Sequence, residues 1–269
     1  MNFIKKGIFS RKDDDQHRES PTESGGILAV WGSPGSGKTV TAVKLAKALA
    51  DKKKNVALLL CDMTAPMLPC VCPSSELDCE RSLGSILAVP HVSDTLIKNN
   101  CVTHKRLSHL TALGMLKGEN EYTYPPYTER QATELLDGLR ELAPYIIVDC
   151  GSYIANDILS AVALMEADSV LRLANCDLKS VGYFSSQLPL LKDTQWDADK
   201  QYKVASNVKP QQAADHIGKV LGSVAFKLPY SQELEEQYLA GTLLSDLSMK
   251  DSRPFRKELD KIIGEVFGC

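Results

Sequence analysis

The sequence lacks several features that define whole classes of protein. No apolar run approaches the roughly 18–20 residues that a membrane-spanning helix needs, and the first residues include lysines but no apolar signal core. Charge of one sign is not in excess, since 31 basic and 34 acidic residues give a formal net charge of −3. We therefore expect a cytoplasmic protein, in which any contact with nucleic acid needs a local basic patch.

Paired cysteine motifs are also missing. The eight cysteines include a cluster at Cys61, Cys70, Cys72 and Cys79, but none of these forms the C-x-x-C pair typical of zinc sites. Without a signal sequence, reduced thiols are the expectation. The role of this cluster, and of residues 70–127 as a whole, stays open.

Composition divides the chain into a short tail and one domain. Residues 1–25 combine an amphipathic stretch within residues 1–12 with a polar, charged stretch typical of a flexible linker. Two interpretations stay open: a flexible tail, or an attachment to a membrane surface or a partner. Residues 26–269 show no second break in composition, which predicts a single domain.

Within this domain, strand patterns alternate with helical patterns. Strands are predicted at Ile27–Trp31, Val56–Cys61, Leu107–Leu113, Tyr145–Val148, Ser169–Leu173, Tyr202–Val208 and Ser223–Phe226. Helices are predicted across residues 42–49 and at Thr128–Leu142, Asp157–Glu166, Leu178–Leu191, Gln211–Val220, Ser231–Ala240 and Phe255–Phe267. This alternation predicts an α/β fold of three layers, in which a mostly parallel twisted sheet carries helices on both faces.

The strongest motif is a glycine-rich loop directly after the first predicted strand. A full match to G-x-x-x-x-G-K-[ST] is formed by Gly32, Ser33, Pro34, Gly35, Ser36, Gly37, Lys38 and Thr39. Glycines let successive backbone N–H groups face phosphates, and the following helix adds the positive end of its dipole. Lys38 is expected to reach the β- and γ-phosphates, and the Thr39 hydroxyl to bind Mg²⁺. The motif therefore predicts binding of a nucleoside triphosphate.

Two further strands end in a carboxylate. The strand at Tyr145–Val148 is followed by Asp149, which would hold Mg²⁺ beside Thr39. Asp62 follows the second strand, where it would either face the γ-phosphate or Mg²⁺, or cap the loop that follows. The candidate catalytic residues are thus Lys38, Asp62 and Asp149.

With these motifs in place, residues 26–267 resemble the ParA/MinD class of P-loop ATPases, which includes the CpaE/TadZ pilus-localisation proteins. The resemblance also covers Val204–Asn207 and the segment from Gly222 to Pro229. It implies that ATP and Mg²⁺ are the cofactors and that ATP closes a homodimer. It further implies that Asn207 hydrogen-bonds adenine and that Pro229 lines the base pocket. For Asn207, a simple turn residue at a strand end is the alternative.

Two positions depart from the family pattern. Family members carry a lysine early in the loop that reaches the partner's nucleotide, and this chain has Ser33 there. The family's second aspartate, which is implicated in positioning the attacking water, is replaced by Thr64. Because charge at the γ-phosphate is the main catalytic contribution in phosphoryl transfer, we expect ATP binding with weak or partner-dependent hydrolysis.

The expected function is a nucleotide switch that positions or regulates a bacterial surface apparatus, such as a pilus or secretion machine. It would act through a protein partner of that membrane-associated machine, at the inner face of the membrane, with residues 1–12 as a possible contact. The alternatives are a partition ATPase that binds DNA non-specifically, a division-site positioning ATPase whose last helix binds membrane, and a tyrosine-kinase-like protein. DNA binding is not favoured, because the basic residues near the C-terminus alternate with acidic ones. The kinase alternative lacks the expected C-terminal tyrosine cluster, the last tyrosine being Tyr238.

Overall fold

The computed structural model describes residues 25–71, 81–191, 197, 199–209 and 222–269. Residues 1–24 of the expected tail, Cys72 and Cys79, and the helix predicted at Gln211–Val220 lie outside the described residues. In the part that is described, no helix has both the length and the apolar character needed to cross a membrane.

The described chain forms strands and helices in alternation. The strands are β1 (Gly26–Gly32), β2 (Val56–Leu60), β3 (Val102–His104), β4 (Leu107–Leu113), β5 (Tyr145–Asp149), β6 (Ser169–Asn175), β7 (Gln201–Val208) and β8 (Phe226–Pro229). The helices are α1 (Lys38–Asp51), α2 (Leu68–Val71), α3 (Leu83–Leu87), α4 (Asp94–Asn100), α5 (Glu129–Leu142), α6 (Ile158–Glu166), α7 (Leu178–Gln187), α8 (Gln232–Leu239) and α9 (Arg253–Phe267). A 3₁₀ turn at Leu188–Leu191 extends α7.

All eight described strands belong to one sheet, in the order β3-β4-β2-β5-β1-β6-β7-β8. Every pair is parallel except the hairpin of β3 and β4, which is antiparallel. This arrangement confirms the predicted α/β fold with a mostly parallel sheet. Strands β1 and β6 are neighbours, but the chain leaves β1 towards β2 on one side and leaves β6 towards β7 on the other. The loops at their carboxyl ends therefore diverge, which is where a crevice forms in such sheets.

The sheet has an apolar core on each face because successive strand residues point to opposite sides. Leu28 and Val30 of β1 belong to the core that contains α1 and α9. Ile27, Ala29 and Trp31 belong to the core that contains α5, α6 and α7. With helices on both faces, the inner strands are apolar throughout, as parallel strands require.

Differences from the predicted elements are confined to short or peripheral ones. The last strand was predicted at Ser223–Phe226 and instead runs over Phe226–Pro229, where it pairs with β7 at the edge of the sheet. The segment at residues 70–127 contains α3, α4 and β3, none of which was predicted. These elements are too short to show a clear hydrophobic period, so the pattern could not identify them.

Candidate functional site

The glycine-rich loop joins β1 to α1 at the carboxyl edge of the sheet. Gly35 and Gly37 have φ angles of 75° and 78°, in the left-handed region that favours glycine. Gly32 is required for a different reason, since a Cβ there would lie 2.1 Å from the carbonyl oxygen of Leu173. The glycines of the motif therefore fix a backbone turn that other residues would strain, and this turn places Lys38 at the first position of α1.

Lys38 is held at the mouth of this loop by two oxygen atoms. Its Nζ donates to Ser152 Oγ at 2.6 Å and to the carbonyl oxygen of Ser33 at 3.5 Å. Burial lowers the pKa of Lys38, while the charges of Asp149 and Asp62 act in the opposite direction. The ammonium group is thus partly desolvated beside two carboxylates, where a phosphate would be a strong partner.

Thr39 and Asp149 meet directly beside Lys38. Thr39 Oγ1 donates to Asp149 Oδ2 at 2.6 Å, and Asp149 is only 2% exposed. Asp149 Oδ1 is buried and has no hydrogen-bond partner among the described residues. Burial raises the pKa of Asp149 to about 7. An unpartnered carboxylate oxygen next to a hydroxyl is a donor set that fits Mg²⁺, which binds hard oxygen ligands and would restore the ionised carboxylate.

Asp62 lines the same cleft from the end of β2. Its Oδ1 accepts hydrogen bonds from the backbone N–H groups of Thr64 at 2.9 Å and Ala65 at 2.8 Å. Asp62 therefore caps the following loop, which is one of the two roles expected for it. That Asp62 also faces the γ-phosphate or Mg²⁺ stays a prediction. It is compatible with the structure, since the charge of Asp62 raises the pKa of Lys38.

Both departures from the family pattern are visible in the structure. Ser33 is fully buried, and its hydroxyl lies 2.7 Å from the hydroxyl of Ser180 at the start of α7. Thr64 is exposed and takes part in the described hydrogen bonds through its backbone N–H. Neither side chain places a charge at the phosphate end of the cleft.

Two asparagines at strand ends contact the glycine loop. Asn207, at the end of β7, has a φ angle of 52°, and its Nδ2 donates to Asn175 Oδ1 at 2.9 Å and to the carbonyl oxygen of Gly35 at 3.4 Å. Asn175, the last residue of β6, donates through its own Nδ2 to the same Gly35 carbonyl at 3.0 Å. Asn207 is thus a strand-end turn residue and also lines the cleft, so the two interpretations of it are compatible.

The far wall of the cleft is built after β8. Pro229 and Tyr230 line it, and Lys209 Nζ lies 5.3 Å from the centre of the Tyr230 ring. The Tyr230 hydroxyl donates to Glu235 on α8. The cleft between this wall and the glycine loop has a volume of about 710 Å³, which is within the range of small-ligand sites.

Sequence reasoning missed Ser152 and Asn175. Ser152 Oγ accepts from Lys38 and donates to the carbonyl oxygen of Gly32 at 3.2 Å, so it joins the loop after β5 to the glycine loop. Ser152 follows β5 and Asn175 is the last residue of β6. A polar residue at the carboxyl end of a parallel strand was the available signal.

The cysteine cluster is described only in part. Cys61 is buried and Cys70 is exposed. Over the described ranges, no group of three or more histidine, cysteine, aspartate or glutamate side chains is arranged to hold a metal ion. The described residues therefore give no support for a metal-binding role of these thiols.

Comparisons with known proteins agree with this geometry. The family described as "CbiA: CobQ/CobB/MinD/ParA nucleotide binding domain" matches residues 27–244. A comparison with curated proteins found no match.

Solved structures with a similar fold include three proteins of low sequence identity. The MinD cell division protein of Aquifex aeolicus is 17% identical, covers 90% of this chain and 98% of its own, and has a TM-score of 0.68. A ParA family ATPase from Chlorobium tepidum TLS is 17% identical, with 88% and 97% covered and a TM-score of 0.71. The septum site-determining protein MinD from Pyrococcus horikoshii OT3, solved with Mg-ADP, is 15% identical, with 89% and 95% covered and a TM-score of 0.68. At these identities the likeness shows the fold.

The family match spans most of the chain and includes the glycine loop, Asp149 and Asn207. The mostly parallel sheet with helices on both faces is the fold of these solved structures. The chain therefore belongs to the CobQ/CobB/MinD/ParA family of nucleotide-binding domains.

Proposed function

We propose that the protein is an ATP-binding switch that hydrolyses ATP slowly and, as an ATP-bound homodimer, positions or regulates a bacterial surface apparatus such as a pilus or secretion machine. The observation that carries the nucleotide assignment is the convergence of Lys38, Thr39 and Asp149 at the mouth of one glycine loop. In this proposal Lys38 binds the β- and γ-phosphates, and Thr39 and Asp149 hold Mg²⁺. Bound Mg²⁺ would neutralise charge on the phosphates.

Slow hydrolysis is inferred from what surrounds the phosphate end of the cleft. Ser33 points into the protein towards Ser180, and Thr64 carries no charge. Transition-state charge at the γ-phosphate would be met by Lys38 and the metal, without a second aspartate to position water. The cleft thus has the groups that bind the phosphates and the metal but lacks the second aspartate that would speed hydrolysis.

Two observations favour a protein partner over DNA or a membrane contact at the C-terminus. The apolar stripe of α9 is buried against the sheet, including Ile262 and Ile263, which are fully buried. The basic residues of this helix alternate with acidic ones in the sequence, and Lys261 Nζ lies 2.8 Å from Glu258. The apolar stripe is therefore not available to a membrane, and the helix carries charges of both signs. We place the protein in the cytoplasm, with residues 1–12 as the candidate contact at the inner face of the membrane.

Nucleotide binding and turnover are measured with the purified full chain. We expect Mg-ATP to bind to the unaltered protein and to be hydrolysed slowly in a single-turnover assay. Lys38→Ala should abolish binding, whereas Lys52→Ala, an exposed lysine at the other end of α1, should leave it unchanged. Thr64→Asp should accelerate hydrolysis. Brisk hydrolysis by the isolated unaltered protein would contradict the proposed switch.

Attachment is tested by co-sedimentation with liposomes and with DNA, each with and without ATP. We expect ATP to produce a dimer in light scattering, with no sedimentation on DNA. Loss of liposome binding when residues 1–12 are deleted would support attachment through the tail. ATP-dependent DNA binding that disappears at high salt would instead favour the partition alternative.

A further inference from the structure

The amide groups of Asn175 and Asn207 form a fixed pair above the glycine loop. Three hydrogen bonds define it: both amides donate to the carbonyl oxygen of Gly35, at 3.0 Å and 3.4 Å, and Asn207 Nδ2 also donates to Asn175 Oδ1 at 2.9 Å. The three residues come from the ends of two adjacent strands and from the loop after a third. All three line the nucleotide cleft.

The orientation of each amide follows from the chemistry of its neighbour. A carbonyl oxygen only accepts hydrogen bonds, so the atom of each side chain that faces the Gly35 carbonyl must be the nitrogen. With its nitrogen committed there, Asn175 directs its oxygen towards Asn207. That oxygen in turn requires a donor, and Asn207 supplies it through Nδ2.

This pairing uses both amide hydrogens of Asn207. One goes to Asn175 and the other to Gly35, which leaves the carbonyl oxygen Oδ1 as the polar atom still open. Within the described part of the chain, no group donates to that oxygen, and Asn207 is exposed at the cleft. A ligand that meets Asn207 Oδ1 therefore has to bring a hydrogen-bond donor.

The two common purines differ in the group that they would present. The 6-amino group of adenine donates, whereas the 6-oxo group of guanine or hypoxanthine accepts. A 6-oxo group placed against Asn207 Oδ1 would bring two acceptors together, which costs the hydrogen bond of each. An asparagine free to turn over would instead offer its NH₂ group to the 6-oxo purine and lose this discrimination.

We propose that Asn175 is a specificity-determining residue: it accepts the shorter of the two hydrogen bonds from Asn207 Nδ2, the Gly35 carbonyl accepting the longer one, and so helps to hold the Asn207 oxygen towards the base and to select 6-amino over 6-oxo purine nucleotides. Asn175 acts through Asn207 and is a positioning residue. The inference rests on the proposed nucleotide site, because it concerns the base of the nucleotide that would bind there.

The test measures dissociation constants of the full-length protein, with Mg²⁺, for three nucleotides: ATP, inosine triphosphate and purine riboside triphosphate. Inosine triphosphate carries the 6-oxo group, and the purine riboside analogue has hydrogen at that position. We expect the unaltered protein to prefer ATP over inosine triphosphate by at least about tenfold, the equivalent of one oriented hydrogen bond. Asn175→Leu and Asn175→Ala should each reduce that preference, because Asn207 loses the shorter of the two hydrogen bonds that hold its orientation and keeps only the longer one to the Gly35 carbonyl.

Asn175→Asp is the matched control. A carboxylate oxygen accepts the same N–H of Asn207, so the preference for ATP should survive even though the bond to the Gly35 carbonyl is lost. That loss should weaken the binding of all three nucleotides by the same factor. Any general loosening of the loop in the other variants should do the same. Circular dichroism of each variant confirms that it is folded.

The outcomes separate this inference from the proposed function. If the unaltered protein binds ATP but the ratio of the two affinities is unchanged in Asn175→Leu and Asn175→Ala, Asn175 has only a structural role and the inference is wrong. Loss of the preference in Asn175→Asp would also overturn it. If the unaltered protein binds none of the three nucleotides, the proposed function fails together with the inference.

Discussion

Two ionisable side chains, one at the end of β5 and one on α1, are buried in the interior of the protein. Asp149 is 2% exposed at the end of β5, and Lys44 on α1 is also 2% exposed. Lys44 Nζ donates to Gln237 Oε1 and to the carbonyl oxygen of Ser245 at 2.8 Å, which ties α1 to α8 and the loop after it. Burial of a charged group is costly, so the protonation of each residue affects both stability and binding.

Burial lowers the pKa of Lys44 to about 7. The unfolded chain, in which lysine titrates near 10.5, binds this proton more tightly than the folded chain, so stability rises with pH between about 7 and 10.5. Lys44→Met removes this dependence. We expect the free energy of unfolding of the unaltered protein, relative to the variant, to increase by about 2 kcal/mol from pH 7 to pH 9. Urea unfolding at both pH values measures it.

The control for that experiment is the same replacement at an exposed lysine. Lys52→Met changes a side chain at the end of α1 that lies at the surface. The difference in the free energy of unfolding between the unaltered protein and the variant should grow with pH for Lys44→Met and not for Lys52→Met. Equal growth for both variants would show that burial of Lys44 is not the cause.

Asp149 should matter for the metal more than for the phosphates. In Asp149→Asn the geometry is kept, but the negative oxygen that would meet Mg²⁺ is lost. We expect Mg²⁺ to increase ATP affinity in the unaltered protein and to have an effect at least about tenfold smaller in the variant. Titrations of the protein with ATP, in Mg²⁺ and in EDTA, separate a loss of metal binding from a disturbance of the glycine loop. An equal loss of affinity in EDTA would mean that the variant disturbs the loop itself.

Among the elements, α9 shows how a helix near the C-terminus is tied to the nucleotide-binding core. Its apolar stripe packs on the same core as α1, and it contacts both α1 and β8. The ring of Phe267 lies 5.3 Å from that of Tyr145 on β5. The helix therefore covers one face of the sheet that positions the cleft.

Removing bulk from this stripe should destabilise the whole protein. Ile263→Ala should reduce the free energy of unfolding by about 2–5 kcal/mol, because it leaves a cavity in a fully buried site. Lys257→Ala, on the exposed face of the same helix, should change it by less than about 0.5 kcal/mol. Denaturant unfolding measures both. Similar small effects for the two variants would contradict the packing of α9 on the sheet.

The elements that could be predicted from the sequence are those with a long pattern. Tyr145–Val148 is apolar at every position and lies at the centre of the sheet, so its burial on both faces is evident from the chain alone. The last strand was placed three residues too early because its limits are set by pairing with β7, which the local pattern does not contain. The short helices between residues 70 and 127 are stabilised by tertiary contacts, such as that of α4 with α5.

The same contrast holds at the site. The glycine loop could be found because its residues are contiguous and each spacing has a chemical reason. Asn175 and Ser152 could not, because each acts on the loop from more than a hundred residues away in the chain. Only the order of the strands brings them together.

For the molecule as a whole, nucleotide binding should appear as added stability. A ligand present at 100 times its dissociation constant adds about 2.7 kcal/mol, which corresponds to a rise in Tm of about 5–10 °C for a domain of this size. We expect this rise with Mg-ATP and none with Lys38→Ala. Thermal unfolding followed by circular dichroism checks it, and an equal rise in the variant would place the ATP site elsewhere.

The burial of Ser33 has a consequence for how two copies would work together. Its hydroxyl faces Ser180 within the same chain, so this position extends no group towards a second copy. Each subunit would then complete its phosphate contacts with its own side chains. In mixtures of unaltered and Lys38→Ala chains, we expect hydrolysis per unaltered chain to stay constant as the altered fraction grows. An altered chain would then not inhibit the unaltered chain with which it pairs. A steeper loss of activity would show that the subunits share their sites.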